Sequence, residues 1–187
     1  GLNKPKDVAV DSSNNVFVTD TNNQQVLKFD SSGTLLSTFV SGYGTANGQV
    51  ISPWGIGIDS SDNVYITSLQ NDRIQKFNSS GTWLMTLGIT GSPGSANNQF
   101  NNPYGVDIDS SGNIYVADTG NNRIQKLDSS GNHLWTIGGS YGTSNNQFSQ
   151  PSYVTIDGID IWVSDQWNYR VQKYVDATVP SAITNLT

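Results

Sequence analysis

A repeat of nearly fixed length runs through almost the whole chain. Four prolines, each opening a short apolar run that ends in aspartate, are spaced 48, 50 and 48 residues apart: Pro5, Pro53, Pro103 and Pro151. Each run is followed by a turn, a second apolar run, a loop and a third run, and the first three units continue to a fourth run. A period of this length indicates one supersecondary unit stacked on copies of itself, and it restricts the possible folds more than any other feature of the sequence.

The runs have the composition of short β-strands. They are four to six residues long, rich in Val, Ile, Tyr, Phe and Thr, and bounded by Asp, Asn, Ser and Gly. One position in the first turn of units one to three has Asn14, Asp62 or Gly112. These residue types tolerate a left-handed backbone best, so we predict that conformation at this position. No window longer than about ten residues has the apolar spacing of a helix.

The burial pattern of the runs indicates how the strands are arranged. The second run of unit three, residues 114–117, is apolar at consecutive positions, which predicts that both of its faces are buried. The third run, residues 124–127, alternates apolar and polar residues, which predicts one solvated face. Four antiparallel strands per unit, buried near one edge and wetter at the other, predict an all-β protein, a β-propeller whose blades stack face to face around an axis.

The repeat resembles the NHL repeat. The stretch "PYGVDID…GNIYVADTGNNRIQKLDSSG" carries the resemblance through Pro-x-Gly-apolar, Tyr-Val-Ala-Asp and Asn-x-Arg-Ile, and its sister units extend it over essentially residues 2–175. The units depart from it at Gln25 for arginine, Ser68 for aspartate, and Ser152-Tyr153 where glycine is expected. The resemblance implies a β-propeller, most often of six blades, and implies little about activity, because the family includes binding modules and, more distantly, lyases and lactonases.

The repeat boundaries define the domain organisation. Four blades are predicted at about residues 2–50, 51–100, 101–148 and 149–175, the last without its outer strand, so that residues 1–175 form the propeller. Residues 176–187 resemble a linker and the first strand of a fibronectin type III-like domain, or form a tail that supplies the missing strand. Bare blade faces would expose apolar surface. We therefore expect a fragment of a larger ring, such as one of six blades, a closed four-blade ring, or one of several subunits that complete each other.

Composition narrows the classes of partner. The net charge is −6, and all 15 acidic residues are aspartates, which suits turns better than an acidic patch. Nine lysines and arginines, shared evenly among the units, are too few for a nucleic-acid-binding face. No stretch approaches the roughly 18 apolar residues of a membrane span, so no membrane insertion is expected. We therefore expect a protein or glycan ligand, with self-association or further domains as an additional possibility.

Other features favour a location outside the cell. The abundance of Asn, Ser, Thr and Gly with few charges is common in secreted prokaryotic proteins. Two acceptor sequons make Asn78 and Asn185 candidate glycosylation sites. The sequence therefore predicts a secreted or cell-surface protein.

The residues that the related enzymes use are scarce. The resemblance to lactonases and ring-opening lyases implies metal ligands or acid–base groups around the axis, commonly Glu or several His. This chain has no Glu, no Cys and a single histidine, His133, on a predicted outermost strand. We therefore expect no enzymatic activity, no catalytic residue, no metal and no cofactor, unless the chain is part of a propeller lyase or lactonase whose catalytic residues lie outside it.

The aspartates form two repeated sets that allow two interpretations. Asp11, Asp59, Asp109 and Asp157 end the first strands, and Asp20, Asp118 and Asp165 end the second strands. Either set could surround a cation such as calcium, which takes oxygen ligands. Capping of the turns is the favoured interpretation. The pairing of Asp118 with Arg123 is interpreted as a salt bridge that braces a loop or ties two blades, with ligand recognition as the alternative.

The residues that vary between units indicate a candidate binding face. The long loops that enter each first strand and the loops between the second and third strands lie on the same face of a propeller. Trp54 and Tyr104 follow the prolines of units two and three, where Lys6 and Ser152 stand in the other units. The candidate ligand-binding residues are Trp54, Tyr104, Leu69, Trp167 and Tyr169.

Aromatic residues near the axis, with amide-rich loops, suit stacking on sugars or gripping a peptide, although Trp54 and Tyr104 could instead plug the channel mouth. The sequence thus predicts a non-catalytic extracellular binding, adhesion or assembly module, with a structural subunit of a cell-surface assembly as the alternative.

Overall fold

The computed structural model describes residues 1–176 and the backbone of residues 182–186. Its sixteen strands form four antiparallel sheets, one per repeat, and each sheet is a blade. Blade 1 contains β1 (Pro5–Val10), β2 (Val16–Asp20), β3 (Gln25–Phe29) and β4 (Leu35–Ser41). Blade 2 contains β5 (Pro53–Ile58), β6 (Val64–Ser68), β7 (Arg73–Phe77) and β8 (Trp83–Gly88). Blade 3 contains β9 (Pro103–Ile108), β10 (Ile114–Asp118), β11 (Arg123–Leu127) and β12 (His133–Gly138). Blade 4 contains β13 (Pro151–Asp157), β14 (Asp160–Asp165), β15 (Arg170–Val175) and β16 (Ala182–Leu186).

The strands follow each other in chain order within every blade, so the predicted all-β propeller of four-stranded blades is confirmed. The first strand of each blade is the inner one, and the inner strands pack in sequence, β1 on β5, β5 on β9 and β9 on β13. Between the second and third strands, each blade has a single 3₁₀ turn: Thr21–Asn23, Leu69–Asn71, Thr119–Asn121 and Gln166–Asn168. None of the helical segments in residues 1–176 and 182–186 is long and apolar enough to cross a membrane.

The turn chemistry agrees with the sequence. Asn14, Asp62 and Gly112 have φ values of 62°, 60° and 81°, which confirms the predicted left-handed position. Asp11 precedes the first of these turns, and its Oδ1 accepts hydrogen bonds from the backbone N–H groups of residues 13 and 15 at 3.0 and 2.8 Å. The aspartate thus closes the turn, which is what makes each strand pair a tight hairpin.

Burial within a blade agrees with the prediction at the second strand and differs at the third. All of β10 is buried, as its apolar run predicts. The alternating strand β11 is also fully buried, so the predicted solvated face is wrong. Its polar residues are covered because Gln125 donates to the Gln99 carbonyl at 2.7 Å and Lys126 lies 3.7 Å from Asp109. The alternation at residues 124–127 therefore indicates which face of the strand is polar, but it does not indicate that this face is exposed to solvent.

Three apolar cores lie between successive blades. Each core joins the back of one blade to the front of the next, and the back faces supply residues from the second, third and fourth strands, such as Phe17, Val26 and Val40. The front faces supply residues from the entering loop and the first three strands, such as Val50 and Ile56. The same arrangement recurs between blades 2 and 3 and between blades 3 and 4. The repeat is stable only when stacked, because each blade buries its two faces against neighbours.

Polar contacts add a second layer to these joints. Thr19 of blade 1 donates its hydroxyl to the Trp54 carbonyl at 2.8 Å, and Thr67 of blade 2 donates to the Tyr104 carbonyl at 2.7 Å. In addition, a side chain at the left-handed end of the 3₁₀ turn in each of blades 1 to 3 accepts a backbone N–H just before the proline of the next blade. The acceptor and donor pairs are Gln24 and Ser52, Asp72 and Asn102, and Asn122 and Gln150.

The inner strands approach so closely that two joints require glycine. A Cβ added to Gly55 would lie 2.2 Å from the Tyr104 carbonyl oxygen, and one added to Gly105 would lie 2.9 Å from the Tyr153 Cα. Blade 4 has Tyr153 at this position and Tyr169 at the acceptor position of its 3₁₀ turn. The fourth repeat therefore lacks the side chains that join a following blade in the other three.

The meeting of blades 4 and 1 is built differently from the three packed joints. Tyr153 Oη donates a hydrogen bond to the Lys6 carbonyl at 3.0 Å, and the part of the chain that the structure describes has no fourth apolar core there. On the front of blade 1, Val8 is 57% exposed, whereas its equivalents Ile56, Val106 and Val154 are 4–5% exposed. The total number of blades, self-association and a further domain remain predictions.

The chain end supplies a strand to the last blade. β16 pairs antiparallel with β15, with Gln172 opposite Asn185, so the outer edge of β15 is covered. This is the tail interpretation of residues 176–187, one of the two that the sequence leaves open. The segment 177–181 and residue 187 lie outside the described residues.

Candidate functional site

A cleft opens on the loop face at the mouth of the propeller axis. It has a volume of about 540 Å³, and we call it the loop-face cleft, lined by Lys6, Trp54, Tyr104, Gln150, Ser152, Tyr153, Gln166 and Trp167. Its walls come from all four blades, because the residue after each repeat proline starts an inner strand next to the axis. The repeat therefore brings four variable side chains, far apart in sequence, to one place.

Three of the five predicted ligand-binding residues meet in this cleft. Trp54, Tyr104 and Trp167 line it, whereas Leu69 and Tyr169 do not. The Leu69 backbone N–H bonds the Ser52 carbonyl at 3.2 Å, which places this residue in the joint between strands. Tyr169 is 92% exposed in the left-handed position that ends its 3₁₀ turn. Whether any of the five residues binds a ligand stays a prediction.

Trp54 contacts both an aromatic ring and a cation. The ring centroids of Trp54 and Tyr104 are 4.4 Å apart with an interplanar angle of 32°. The Lys6 Nζ lies 4.3 Å from the Trp54 ring centroid, within the range of a cation–π contact. The Trp54 Nε1 is buried and has no hydrogen-bond partner in the described residues. Trp54 therefore shapes the cleft wall and contacts the lysine. Its position is compatible both with closing the channel mouth and with contacting a ligand.

Trp167 is the aromatic residue that presents a free surface to the cleft. It is 59% exposed, and its backbone N–H donates to the Ser149 carbonyl at 3.1 Å, which fixes the turn that carries it. The side-chain amides of Gln150 and Gln166 make no hydrogen bond to other described residues and line the same cleft. A flat aromatic surface beside unengaged amide groups can bind a ring that carries hydroxyl groups.

A buried ion pair in each of blades 3 and 4 braces the long loop that enters that blade. Arg123 Nε lies 2.6 Å from Asp118 Oδ2, and Arg170 Nε lies 2.7 Å from Asp165 Oδ2, which confirms the loop-bracing salt bridge. Arg123 also donates to three carbonyls of the entering loop, those of Ser95, Ala96 and Gln99. Burial raises the pKa of Asp118, although Asn121, the Asn101 N–H and Arg123 counteract the shift.

Blades 1 and 2 hold their entering loops without an aspartate–arginine ion pair. Gln25 Nε2 donates to Asp20 Oδ2 at 2.7 Å in blade 1. In blade 2, Ser68 replaces the aspartate, and burial lowers the pKa of Arg73, which donates to the carbonyls of Thr45, Ala46 and Gln49. The shared function of this position is thus to hold an entering loop by its carbonyls.

The axial channel lies below the cleft and contains two carboxylates. The channel has a volume of about 350 Å³ and is lined by residues of all four inner strands, with Asp7 and Asp107 among them. Asp7 accepts the Ile56 N–H at 3.0 Å, and Asp107 accepts the Ile156 N–H at 2.8 Å. Burial raises the pKa of Asp7, the two backbone N–H bonds lower it, and the charge of Asp107 raises it further. Tyr153 lines both the cleft and the channel and separates them.

The repeated aspartates are engaged by the protein itself. Asp59 and Asp109 accept hydrogen bonds from their own turns as Asp11 does, and Asp157 is exposed in a shorter turn opposite Asp160. Asp20, Asp118 and Asp165 each accept a backbone N–H of an entering loop at 2.7 Å. Within residues 1–176, no three Asp or His side chains are grouped to hold a metal ion.

Two other predicted positions are on the periphery. His133 starts β12 and its Nε2 is 2.8 Å from Thr136 Oγ1, and partial burial lowers its pKa. Asn78 lies at the predicted turn between β7 and β8, where its Oδ1 accepts the Ser80 N–H at 3.1 Å. Asn185 lies in β16, and its side chain is outside the described residues. Glycosylation stays a prediction for both asparagines.

Sequence reasoning missed five residues of the cleft: Lys6, Gln150, Ser152, Tyr153 and Gln166. Two of them, Lys6 and Ser152, occupy the same repeat position as Trp54 and Tyr104, so the alignment of the units could have found them. Tyr153 and Gln166 belong to blade 4, and they line the cleft together with Lys6 of blade 1 and Trp54 of blade 2. Only the closure of the arc places them beside Trp54.

Comparison with known proteins identifies the repeat. Residues 2–29 and 100–127 match the NHL repeat. No curated protein sequence matches the chain. Three solved structures illustrate the likeness of fold.

A catalytically inactive variant of virginiamycin B lyase from Staphylococcus aureus, solved with quinupristin, has a TM-score of 0.69 at 17% identity, covering 95% of this chain and 54% of that chain. A gluconolactonase from Xanthomonas campestris has a TM-score of 0.72 at 12% identity, with coverages of 97% and 61%. The nidogen/laminin complex has a TM-score of 0.61 at 20% identity, with coverages of 97% and 79%. The chain thus spans about half the length of the lyase, and at these identities the likeness shows the fold alone.

The comparison corrects one expectation. The absence of Glu and the single His led us to expect a protein without enzymatic activity, and this conclusion is contradicted, because structures similar over nearly the whole chain include lyases and a gluconolactonase. A propeller of this kind is compatible with catalysis, so residue composition was too weak a criterion to exclude it.

Proposed function

Because the chain is an NHL-repeat β-propeller, we propose that it works as an extracellular binding or adhesion module and holds a glycan or peptide in the loop-face cleft. The observation that carries the proposal is the meeting of Trp54, Tyr104 and Trp167 at the axis mouth, from three different blades. Ligand sites are commonly concave surfaces in which aromatic groups supply contact area and a few polar groups supply orientation.

The combination of aromatic and amide side chains in the cleft supports this function. Trp54 and Tyr104 stack on each other and form a rigid wall, and Trp167 offers its exposed ring. Gln150 and Gln166 supply amide donors and acceptors that the described residues leave unengaged. Rigid aromatic groups with unengaged amides bind a ligand at a small cost in conformational entropy, because little in the site has to become ordered.

The extracellular part of the proposal rests on composition and on one turn. The chain combines few charges with many Asn, Ser, Thr and Gly residues, and Asn78 of the first sequon lies at a hairpin turn on the periphery. Asn78 is not among the residues that line the loop-face cleft, so a glycan at this turn would not be attached to the cleft wall. A secreted or cell-surface location is therefore part of the proposal.

A second candidate function follows from the comparison. The chain covers 54% of a virginiamycin B lyase chain that was solved with quinupristin. In this alternative, the four blades are the ligand-holding part of a larger propeller lyase or lactonase, and residues outside residues 1–187 complete the chemistry. The two functions share the loop-face cleft and differ in whether the bound ligand is changed.

Glycan and peptide arrays test the proposal directly. The wild-type chain should bind a subset of ligands, and Trp167→Ala should weaken these hits by about 1–3 kcal/mol, as truncation of an aromatic anchor does. Trp54→Ala and Tyr104→Ala should also weaken them, through collapse of the wall. Trp83→Ala, on the outer strand β8 and 36% exposed, is the matched control. Hits that survive all three cleft substitutions would place binding elsewhere and refute the proposal.

A further inference from the structure

Lysines that lie over an aromatic ring form a repeated feature of this protein. On the third strands, Lys28, Lys76 and Lys126 lie 4.8–4.9 Å from the ring centroids of the aromatic residue in the neighbouring strand, and Lys173 lies 5.0 Å from that of Trp162. Every one of these four ammonium groups is also close to a carboxylate: Asp11 at 3.2 Å, Asp59 at 3.3 Å, Asp176 at 2.5 Å and Asp160 at 2.6 Å. The ring and the carboxylate together satisfy the cation.

Lys6 has the ring without the carboxylate. Its Nζ lies over Trp54, and within residues 1–176 no Asp side chain forms an ion pair with it. It is also the charged residue among those that line the loop-face cleft. In a chain with a net charge of −6, the binding cleft thus presents a positive group whose three N–H donors have no anionic partner.

The backbone of Lys6 is held in place by blade 4. Tyr153 of blade 4 donates its hydroxyl to the Lys6 carbonyl at 3.0 Å, across 147 positions of sequence. Burial and the charge of Asp7 raise the pKa of Tyr153, so the hydroxyl stays protonated and remains a donor. The lysine is therefore fixed at its carbonyl by blade 4 and at its ammonium by Trp54 of blade 2, which preorganises the cation for a ligand.

The geometry points to a uronate as the ligand of the cleft, a proposal that rests on the proposed binding function. The carboxylate of an acidic sugar binds the Lys6 ammonium, as an aspartate does at the sister lysines. The sugar ring stacks on Trp167, and its hydroxyl groups bond the amides of Gln150 and Gln166. The ligand class is an oligosaccharide of hexuronic acids.

Titration calorimetry with paired sugars isolates the carboxylate. The ligands are hexuronate oligomers of galacturonic, glucuronic and mannuronic acid, their methyl esters, in which an added methyl group removes the charge, and hexa-aspartate as an acidic peptide. We expect at least one acid oligomer to bind at least about 10-fold more tightly than its ester, and this ratio to fall at high salt, because the ion pair is near the surface.

Variants assign the effect to residues. Lys6→Gln should remove the preference for the acid, so that the ratio of the two affinities approaches one. Tyr153→Phe removes the bond that positions Lys6 and should lower the acid-to-ester ratio, and Trp167→Ala should weaken both ligands. Lys173→Gln is the matched control, since it removes a lysine that lies outside the cleft, and it should change neither affinity.

The outcomes separate the two proposals. Equal affinities for acid and ester, no binding of any acid oligomer, an unchanged ratio in Lys6→Gln, or tighter binding of hexa-aspartate would each overturn the uronate. If the arrays still show Trp167-dependent ligands in that case, the binding function stands with another ligand. If no ligand of any kind depends on Trp167, both proposals fall.

Discussion

The substitution Arg123→Ala tests how the long loop that enters blade 3 is held. Arg123 donates to Asp118 at 2.6 Å and to the carbonyls of Ser95, Ala96 and Gln99 at 2.7, 3.0 and 2.8 Å. Asp118 is fully buried, so removing the arginine leaves a carboxylate whose remaining partners are the side chains of Asn121 and Gln125 and a backbone N–H. The substitution therefore leaves the buried Asp118 carboxylate without a cation, and it also removes the hydrogen bonds that hold the entering loop.

The magnitude follows from the burial of the pair. Breaking a buried ion pair by removing one partner costs about 3–5 kcal/mol in the free energy of unfolding, because the other charge stays uncompensated. For a domain of 150–250 residues, each kcal/mol shifts the melting temperature by about 2–4 °C, so Arg123→Ala should lower it by roughly 6–20 °C. Lys173→Ala breaks a pair whose side chains are 26% and 29% exposed, and it should cost less than about 1 kcal/mol.

A second substitution distinguishes a stranded charge from a lost loop contact. Blade 2 has Ser68 where blade 3 has Asp118, and Ser68 Oγ accepts the Ile51 N–H at 2.8 Å as the aspartate accepts that of Asn101. Asp118→Ser added to Arg123→Ala removes the unpaired charge while it keeps this contact. The double variant should therefore be more stable than Arg123→Ala alone.

Thermal and urea unfolding, followed by tryptophan fluorescence and circular dichroism, measure these differences. The reasoning fails if Arg123→Ala costs no more than Lys173→Ala. It also fails in its electrostatic part if adding Asp118→Ser lowers the stability further, since the carboxylate would then stabilise the fold without its arginine.

Three further predictions concern the turns and the chain end. Burial raises the pKa of Asp109, but hydrogen bonds from Asn113, Tyr115 and the backbone outweigh this effect and hold the pKa below its ordinary value of 3.8. The ionised carboxylate therefore stabilises the fold above pH 3.8, and this stabilisation is lost as the pH falls through the lower pKa of the folded state. Asp109→Asn should make acid unfolding, measured by fluorescence below about pH 4, less steep, and an unchanged profile would contradict this assignment. Because the turn aspartates already accept hydrogen bonds from the protein, EDTA should leave the melting temperature unchanged, and a drop of many degrees that calcium reverses would restore the cation ring. Ending the chain after Asp176 removes β16 and bares the edge of β15, so light scattering should detect self-association and calorimetry a lower melting temperature; a stable monomer with an unchanged melting temperature would show that this edge needs no partner.

The local features of this protein were predictable from the sequence. The spacing of the four prolines predicted the blades, and the run at residues 114–117 predicted a strand buried on both faces. The residue types at Asn14, Asp62 and Gly112 predicted a left-handed turn position. These features depend on neighbours within a few residues, because backbone sterics and strand alternation act over that range.

The candidate site was only partly predictable. The alignment of the repeats indicated Trp54, Tyr104 and Trp167, which do line one cleft. It also indicated Leu69 and Tyr169, which the structure places outside that cleft. The Leu69 backbone is held at the Ser52 carbonyl, and Tyr169 is exposed in the left-handed position that ends its 3₁₀ turn. The repeat alignment places Lys6 at the position of Trp54 and Tyr104, but nothing in the sequence marked Tyr153 as part of the site.

Only the tertiary structure decided which side chains of different blades contact each other. The stack of Lys6, Trp54 and Tyr104 joins three repeats, and the bond from Tyr153 to Lys6 joins the two ends of the arc. The buried state of β11 likewise comes from Gln99 and Asp109, which belong to an entering loop and to a turn. A repeat pattern specifies the unit that stacks, and the contacts between units depend on the angle and closeness of the stacking, which are set by packing of all the blades together.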